Sequence, residues 1–181
     1  MSVPFPIFWL TGNSGTGKTT LATGVSRYFN EVDNDSPIKC RVIVLDGDEM
    51  RASISTEEGF SAEERRRHNL RVARLAKVLQ AQGFLVVIAV IAPFQSVRDE
   101  IDAICHPRWV YIKCSGLEAP DRPYEQPHSP AAVICTDVGT AQENTGKLIK
   151  LVELFIQEKY LHKEKNQKYR RKREPMITVR A

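Results

Sequence analysis

At 181 residues and 20.5 kDa, with 42% hydrophobic and 27% charged residues, the chain has the size and composition of one domain with a buried core, which argues against a two-domain reading. Residues 159–181 carry nine Lys or Arg and two Glu, a net +7 against +4 for the whole chain, so the basicity belongs to the C-terminal end and not to the domain. The opening MSVPFPIFWLTG has no basic start, and Pro4 and Pro6 break its apolar run, so neither a secretory signal nor a membrane-spanning helix is expected there, and a cytoplasmic location is.

The first apolar run, FPIFWLT, predicts a strand, and a helical pattern over Lys18–Phe29 follows it. Between them lies GNSGTGKTT, residues 12–20, a full match to G-x-x-x-x-G-K-[ST] with the strand before and the helix after that the motif requires. Glycines let successive backbone N–H groups turn inward toward phosphate oxygens, and the helix N-terminus adds a favourable field. Gly12, Asn13, Ser14, Gly15, Thr16, Gly17, Lys18, Thr19 and Thr20 are therefore expected to bind ATP. Lys18 would reach the β- and γ-phosphates, and the Thr19 hydroxyl would be the protein's metal ligand, holding Mg²⁺.

A second strand is predicted in CRVIVLDG, with LDGDEMR at its carboxyl end, where open parallel sheets place their ligands. The two carboxylates there could orient metal-bound water or take a proton from an attacking hydroxyl, and Arg51 lies close in sequence for an anionic acceptor. Next come a charged helical stretch, Ala62–Gln82, the strand FLVVIAVIAP, a helix over Ser96–Cys105 and the strand RWVYIKC. The proline-rich SGLEAPDRPYEQPHSP, residues 115–130, reads as a surface loop. The strand AAVICTD and a helix over Ala141–Tyr160 complete the pattern, with Leu148, Leu151, Val152, Phe155 and Ile156 on one helical stripe.

Nearly continuous apolar strands alternating with helices signify an α/β domain whose parallel sheet is covered on both faces. Its expected extent is residues 1–160. Residues 161–181 form a basic extension without apolar periodicity, expected to be flexible. Cys40, Cys105, Cys114 and Cys135 lie far apart with no CxxC pair, so they read as structural thiols. The cations near the end could contact an anionic partner, but no known nucleic-acid module accompanies them, so a nucleic-acid partner is not expected; nor is a membrane. A homodimer is compatible with the chain.

Taken together, FWLTGNSGTGKTTLA, LDGDEMR, GFSAEERRRHNLRVARLAKVLQAQG, VVIAVIAPFQSVRDEI and RPYEQP resemble the adenylylsulfate kinase family in order and spacing. The resemblance implies a P-loop kinase three-layer sandwich with a mostly parallel central sheet. It also implies transfer of the γ-phosphoryl of ATP to the ribose 3′-hydroxyl of adenosine 5′-phosphosulfate, a small-molecule nucleotide acceptor, in sulfate assimilation. On this resemblance Asp48 matches the catalytic acidic residue, acting beside Lys18. Arg51 and Arg65 match the arginines that bind the acceptor's anion, Phe60 the aromatic that packs on its adenine, and Ile91 a position whose backbone meets it.

The pattern also departs from the family. DGDE puts Glu49 where an amide is usual, the acceptor-side Asn falls on His68 with Asn69 next to it, and IAPF leaves Ala92 without a hydroxyl. The long basic lid expected before the PYE-A-P stretch is missing, and Arg122 and His128 are the cations that the short loop offers in its place. Two alternatives follow: a kinase for another nucleotide ester, such as a cytidine diphosphate derivative, or a nucleotide-binding protein without efficient transfer.

Overall fold

The structure, a computed structural model, describes residues 4–31, 40–118 and 122–171, with side chains as far as Glu158. Its elements, in chain order, are β1 (Ile7–Thr11), α1 (Lys18–Glu31), β2 (Arg41–Asp46), α2 (Gly47–Ser53), α3 (Ala62–Ala81), β3 (Phe84–Ala89), α4 (Gln95–Cys105), β4 (Arg108–Lys113), β5 (Ala132–Cys135) and α5 (Ala141–Arg171). The strands pair in the order β2-β3-β1-β4-β5, and every pair is parallel.

Alternation along β1 divides the core into two layers. Phe8 and Leu10 face one side of the sheet with Leu21, Val25 and Phe29 of α1 and Leu148, Val152 and Ile156 of α5. Ile7 and Trp9 face the other with Val72, Ala73 and Ala76 of α3 and Val97 and Ile101 of α4. Because both faces are covered, β1 is buried at all five positions, which is why its sequence shows an unbroken apolar run. The outcome is the expected α/β sandwich of three layers around a parallel sheet.

Local chemistry sets the helix starts. Ser61 and Glu64 form a reciprocal capping box at the head of α3, satisfying backbone donors that the first turn leaves open. Asp46 caps α2 by accepting the N–H of Asp48 at 2.9 Å, which turns the end of β2 directly into a helix that the apolar pattern did not reveal. Helix α5 continues to Arg171, past the expected boundary at 160; residues 172–181 of the expected extension lie outside the described part.

All four cysteines are free, and the Cys114 and Cys135 thiols both hydrogen-bond Asp137 at the ends of β4 and β5. Among the described residues no helix is long and apolar enough to cross a membrane.

Candidate active site

A parallel sheet aims the carboxyl ends of its strands at one edge, and here the ends of β1, β2 and β3 open onto a cleft of about 600 Å³. The structure brings the expected site residues to its wall: Asn13–Gly15, Gly17–Thr20, Asp48, Arg51, Phe60, Arg65, His68 and Ile91 all line it. Gly12 and Thr16 do not, but both support the loop from within. A Cβ on Gly12 would come 2.2 Å from the Ile112 carbonyl oxygen, so only glycine fits at that position against β4. The Thr16 hydroxyl donates to Asn13 O at 3.0 Å and closes the turn.

Lys18, at the head of α1, is buried with its ammonium turned back onto the loop, donating to Gly12 O at 2.9 Å and Asn13 O at 2.6 Å. Burial pushes its pKa down to about 8, while the nearby carboxylates of Asp46 and Asp48 pull the other way. An arriving phosphate chain would stabilise the charge that burial disfavours and take over the donors now spent on carbonyls. Beside it, the Thr19 hydroxyl donates to the Asp46 carboxylate at 2.6 Å. Sequence reading assigned the metal to Thr19 alone and the catalytic carboxylate to Asp48. The fold shows that Asp46 is the acid in contact with Thr19, while Asp48, the second residue of α2, is exposed.

On the opposite wall Arg51 donates through Nη1 to Glu58 O and Gly59 O, and Arg65 donates from Nε to Phe60 O. Both guanidinium carbons lie over the Phe60 ring, 4.7 and 5.2 Å from its centre, and the ring itself is 69% exposed. Burial and then the like charge of Arg65 push the Arg51 pKa downward, against the weaker pull of Asp48, Glu58 and Glu64, so this wall gathers two cations. An anion bound there is favoured by both arginines. His68 is buried on α3 and forms part of the same wall.

The floor is built by residues that sequence patterns did not single out. The Thr11 hydroxyl donates to Ile91 O at 2.5 Å and lies 2.9 Å from the Tyr124 hydroxyl. Arg98, 1% exposed, donates to Ala92 O and Glu125 O and so ties the RPYEQP stretch to the end of β3. Ala92 holds a left-handed backbone there, with φ of 46°. From the short loop Arg122 and Pro123 line the cleft, whereas His128 does not.

Comparison with known proteins accords with this geometry. Residues 5–119 match the family described as adenylylsulphate kinase. An adenylyl-sulfate kinase of Bacillus velezensis is 33% identical over 81% of this chain and 84% of its own. A probable adenylyl-sulfate kinase of Aeropyrum pernix is 30% identical over 83% and 94%. The Mycobacterium tuberculosis APS kinase CysC, solved in complex with AMPPNP and APS, superposes with a TM-score of 0.71 over 84% of this chain and 99% of that one. At 23% identity that likeness concerns the fold.

Proposed function

The chain belongs to the adenylylsulphate kinase family and is an ATP-dependent kinase, and from that premise we propose that it phosphorylates the ribose 3′-hydroxyl of adenosine 5′-phosphosulfate. The observation that carries this reading is the single cleft joining a phosphate loop to an electropositive, aromatic wall.

In the proposed mechanism the N–H groups of residues 12–20 and the head of α1 hold the ATP phosphates, and Lys18 leaves its carbonyl partners to meet them. The paired oxygens of Thr19 and Asp46 suit a hard divalent cation, so these two would hold Mg²⁺, which when bound neutralises charge on the β- and γ-phosphates. Arg51 and Arg65 bind the acceptor's phosphosulfate, for which planar guanidinium groups are well matched. The Phe60 ring packs on the base and the Ile91 backbone bounds the nucleotide. Asp48, exposed at the mouth, accepts the proton of the attacking hydroxyl as the phosphoryl moves.

One observation favours a second reading, in which another nucleotide ester is accepted as well. Only Arg122 and Pro123 of the described loop residues reach the cleft, so little protein covers the acceptor's base. Phosphorus NMR of the product formed from MgATP and adenosine 5′-phosphosulfate tests the main reading. A new 3′-phosphomonoester is expected; consumption of ATP without one rejects it.

A further inference from the structure

His68 stands out among the cleft residues because nothing among the described residues satisfies it. It is 1% exposed, it sits on α3 where the capping box at Ser61 fixes the helix start, and its ring forms part of the cleft wall. Neither Nδ1 nor Nε2 has a hydrogen-bond partner among the described residues. A buried polar group left open is costly, and a group of this kind at the wall of a binding cleft is satisfied by what the cleft binds.

The charges facing the ring decide what that ligand must be. Arg51 from α2 and Arg71 from α3 press against a positive imidazole, and Glu58 from the loop between them pulls the other way. Glu58, however, is already engaged by Arg67 at 2.8 Å and by Arg71 at 3.5 Å. Arg65 lines the same wall, and Lys18 and Asp48 line the cleft as well. Burial, Arg51 and Arg71 together push the ring's pKa down to about 4, so it is neutral in the free protein near pH 7.

Resting on the acceptor site assigned above, we propose that His68 is a specificity-determining residue that takes up one proton from solvent as the anionic acceptor binds, so that an imidazolium joins Arg51 and Arg65 in holding it. In the free protein one ring nitrogen carries hydrogen and the other a lone pair. When a phosphosulfate oxygen arrives, its negative charge offsets the two guanidinium groups, the lone-pair nitrogen accepts the proton, and both nitrogens become donors. An amide at this position could donate a hydrogen bond but could not titrate. Acceptor affinity in this protein therefore weakens as pH rises from the free pKa toward the bound one, by up to about tenfold per pH unit.

The test is calorimetric titration of adenosine 5′-phosphosulfate into the full chain presaturated with magnesium AMPPNP, which fixes Lys18 beforehand. Titrations run from pH 5 to 8 in buffers that differ in ionisation enthalpy. The expected result is a buffer-dependent heat that reports uptake of up to one proton, with the dissociation constant rising over the same window. In His68→Asn the uptake disappears and the pH profile flattens, while binding itself persists. Binding of the acceptor without proton uptake by the wild type overturns this inference and leaves the acceptor reading standing. Uptake that survives in His68→Asn overturns it too. If AMPPNP binds and adenosine 5′-phosphosulfate does not at any pH, the acceptor reading falls and this inference falls with it.

Discussion

Lys18→Met isolates the conflict between binding and stability at the phosphate loop. Methionine keeps the length of the side chain and removes the ammonium. A pKa pushed down from 10.5 to about 8 means that holding the charge in the ligand-free fold costs about 3 kcal/mol relative to the neutral form. Against that gain, Gly12 O and Asn13 O each lose a donor, at about 1 kcal/mol apiece. The variant is therefore expected to be about 1 kcal/mol more stable than the wild type at pH 7, a rise of about 3 °C in Tm for a domain of this size. The sign reverses with pH. Above about 8 the folded lysine sheds its proton while the unfolded chain keeps it up to 10.5, so the wild type gains stability over that window and the variant does not. Its advantage should shrink and then invert. Phosphoryl transfer should fall by at least about a hundredfold, because the cation that stabilises the moving phosphoryl is gone. Differential scanning calorimetry from pH 7 to 10, paired with turnover measurements, checks both halves. A Tm that drops by several degrees at pH 7 would refute the electrostatic argument, and preserved turnover would refute the donor-site assignment.

Asp46→Asn retains a helix-capping acceptor for the Asp48 N–H, so its unfolding free energy should change by less than about 1 kcal/mol, while turnover measured across a magnesium titration falls at least about tenfold. Equal turnover in the two proteins would show that the oxygen beside Thr19 has no part in the reaction. Gly12→Ala forces a methyl onto the Ile112 carbonyl and should lose more than about 2 kcal/mol in guanidinium unfolding, whereas Gly17→Ala, with open space but φ of +86°, loses only the backbone strain of about 1 kcal/mol. Equal losses contradict the close approach. Glu58→Gln removes a carboxylate whose side chain is 2% exposed and which binds Arg67 and Arg71; because those arginines can rehydrate, the expected loss is about 2 kcal/mol by chemical denaturation, and an unchanged midpoint rejects that network as a support of the cleft.

What the sequence made legible was local. The phosphate loop lies within nine consecutive residues, and its strand-before, helix-after context could be read directly from FPIFWLT and the pattern that follows. The buried strands betrayed themselves by unbroken apolar runs, but the same burial on both faces hid which side Phe8 and Trp9 take, and nothing local encodes that β1 lies between β3 and β4. Helix α2 escaped notice because it is short and exposes most of its residues, its start fixed by Asp46 rather than by an apolar stripe. At the site, Phe60 and Arg65 were identified through family resemblance, since their meeting with Arg51 over one ring depends on how the segment between α2 and α3 turns back to Arg51. Arg98 looks in QSVRDE like an ordinary polar helix residue. Its burial is explained only by carbonyls at Ala92 and Glu125 that the tertiary fold delivers. For the same reason the isolation of His68 could not be seen in ERRRHNLR, where the preceding run of charges suggests a solvated face.

The central claim, that one cleft couples the phosphate loop to an adenosine 5′-phosphosulfate site, is tested most directly by ADP release at saturating MgATP with adenosine 5′-phosphosulfate or a matched cytidine 5′-ester as acceptor. The account predicts release that depends on adenosine 5′-phosphosulfate, with kcat/KM for it exceeding that for the cytidine ester. Release that responds to the cytidine ester and not to adenosine 5′-phosphosulfate would contradict it.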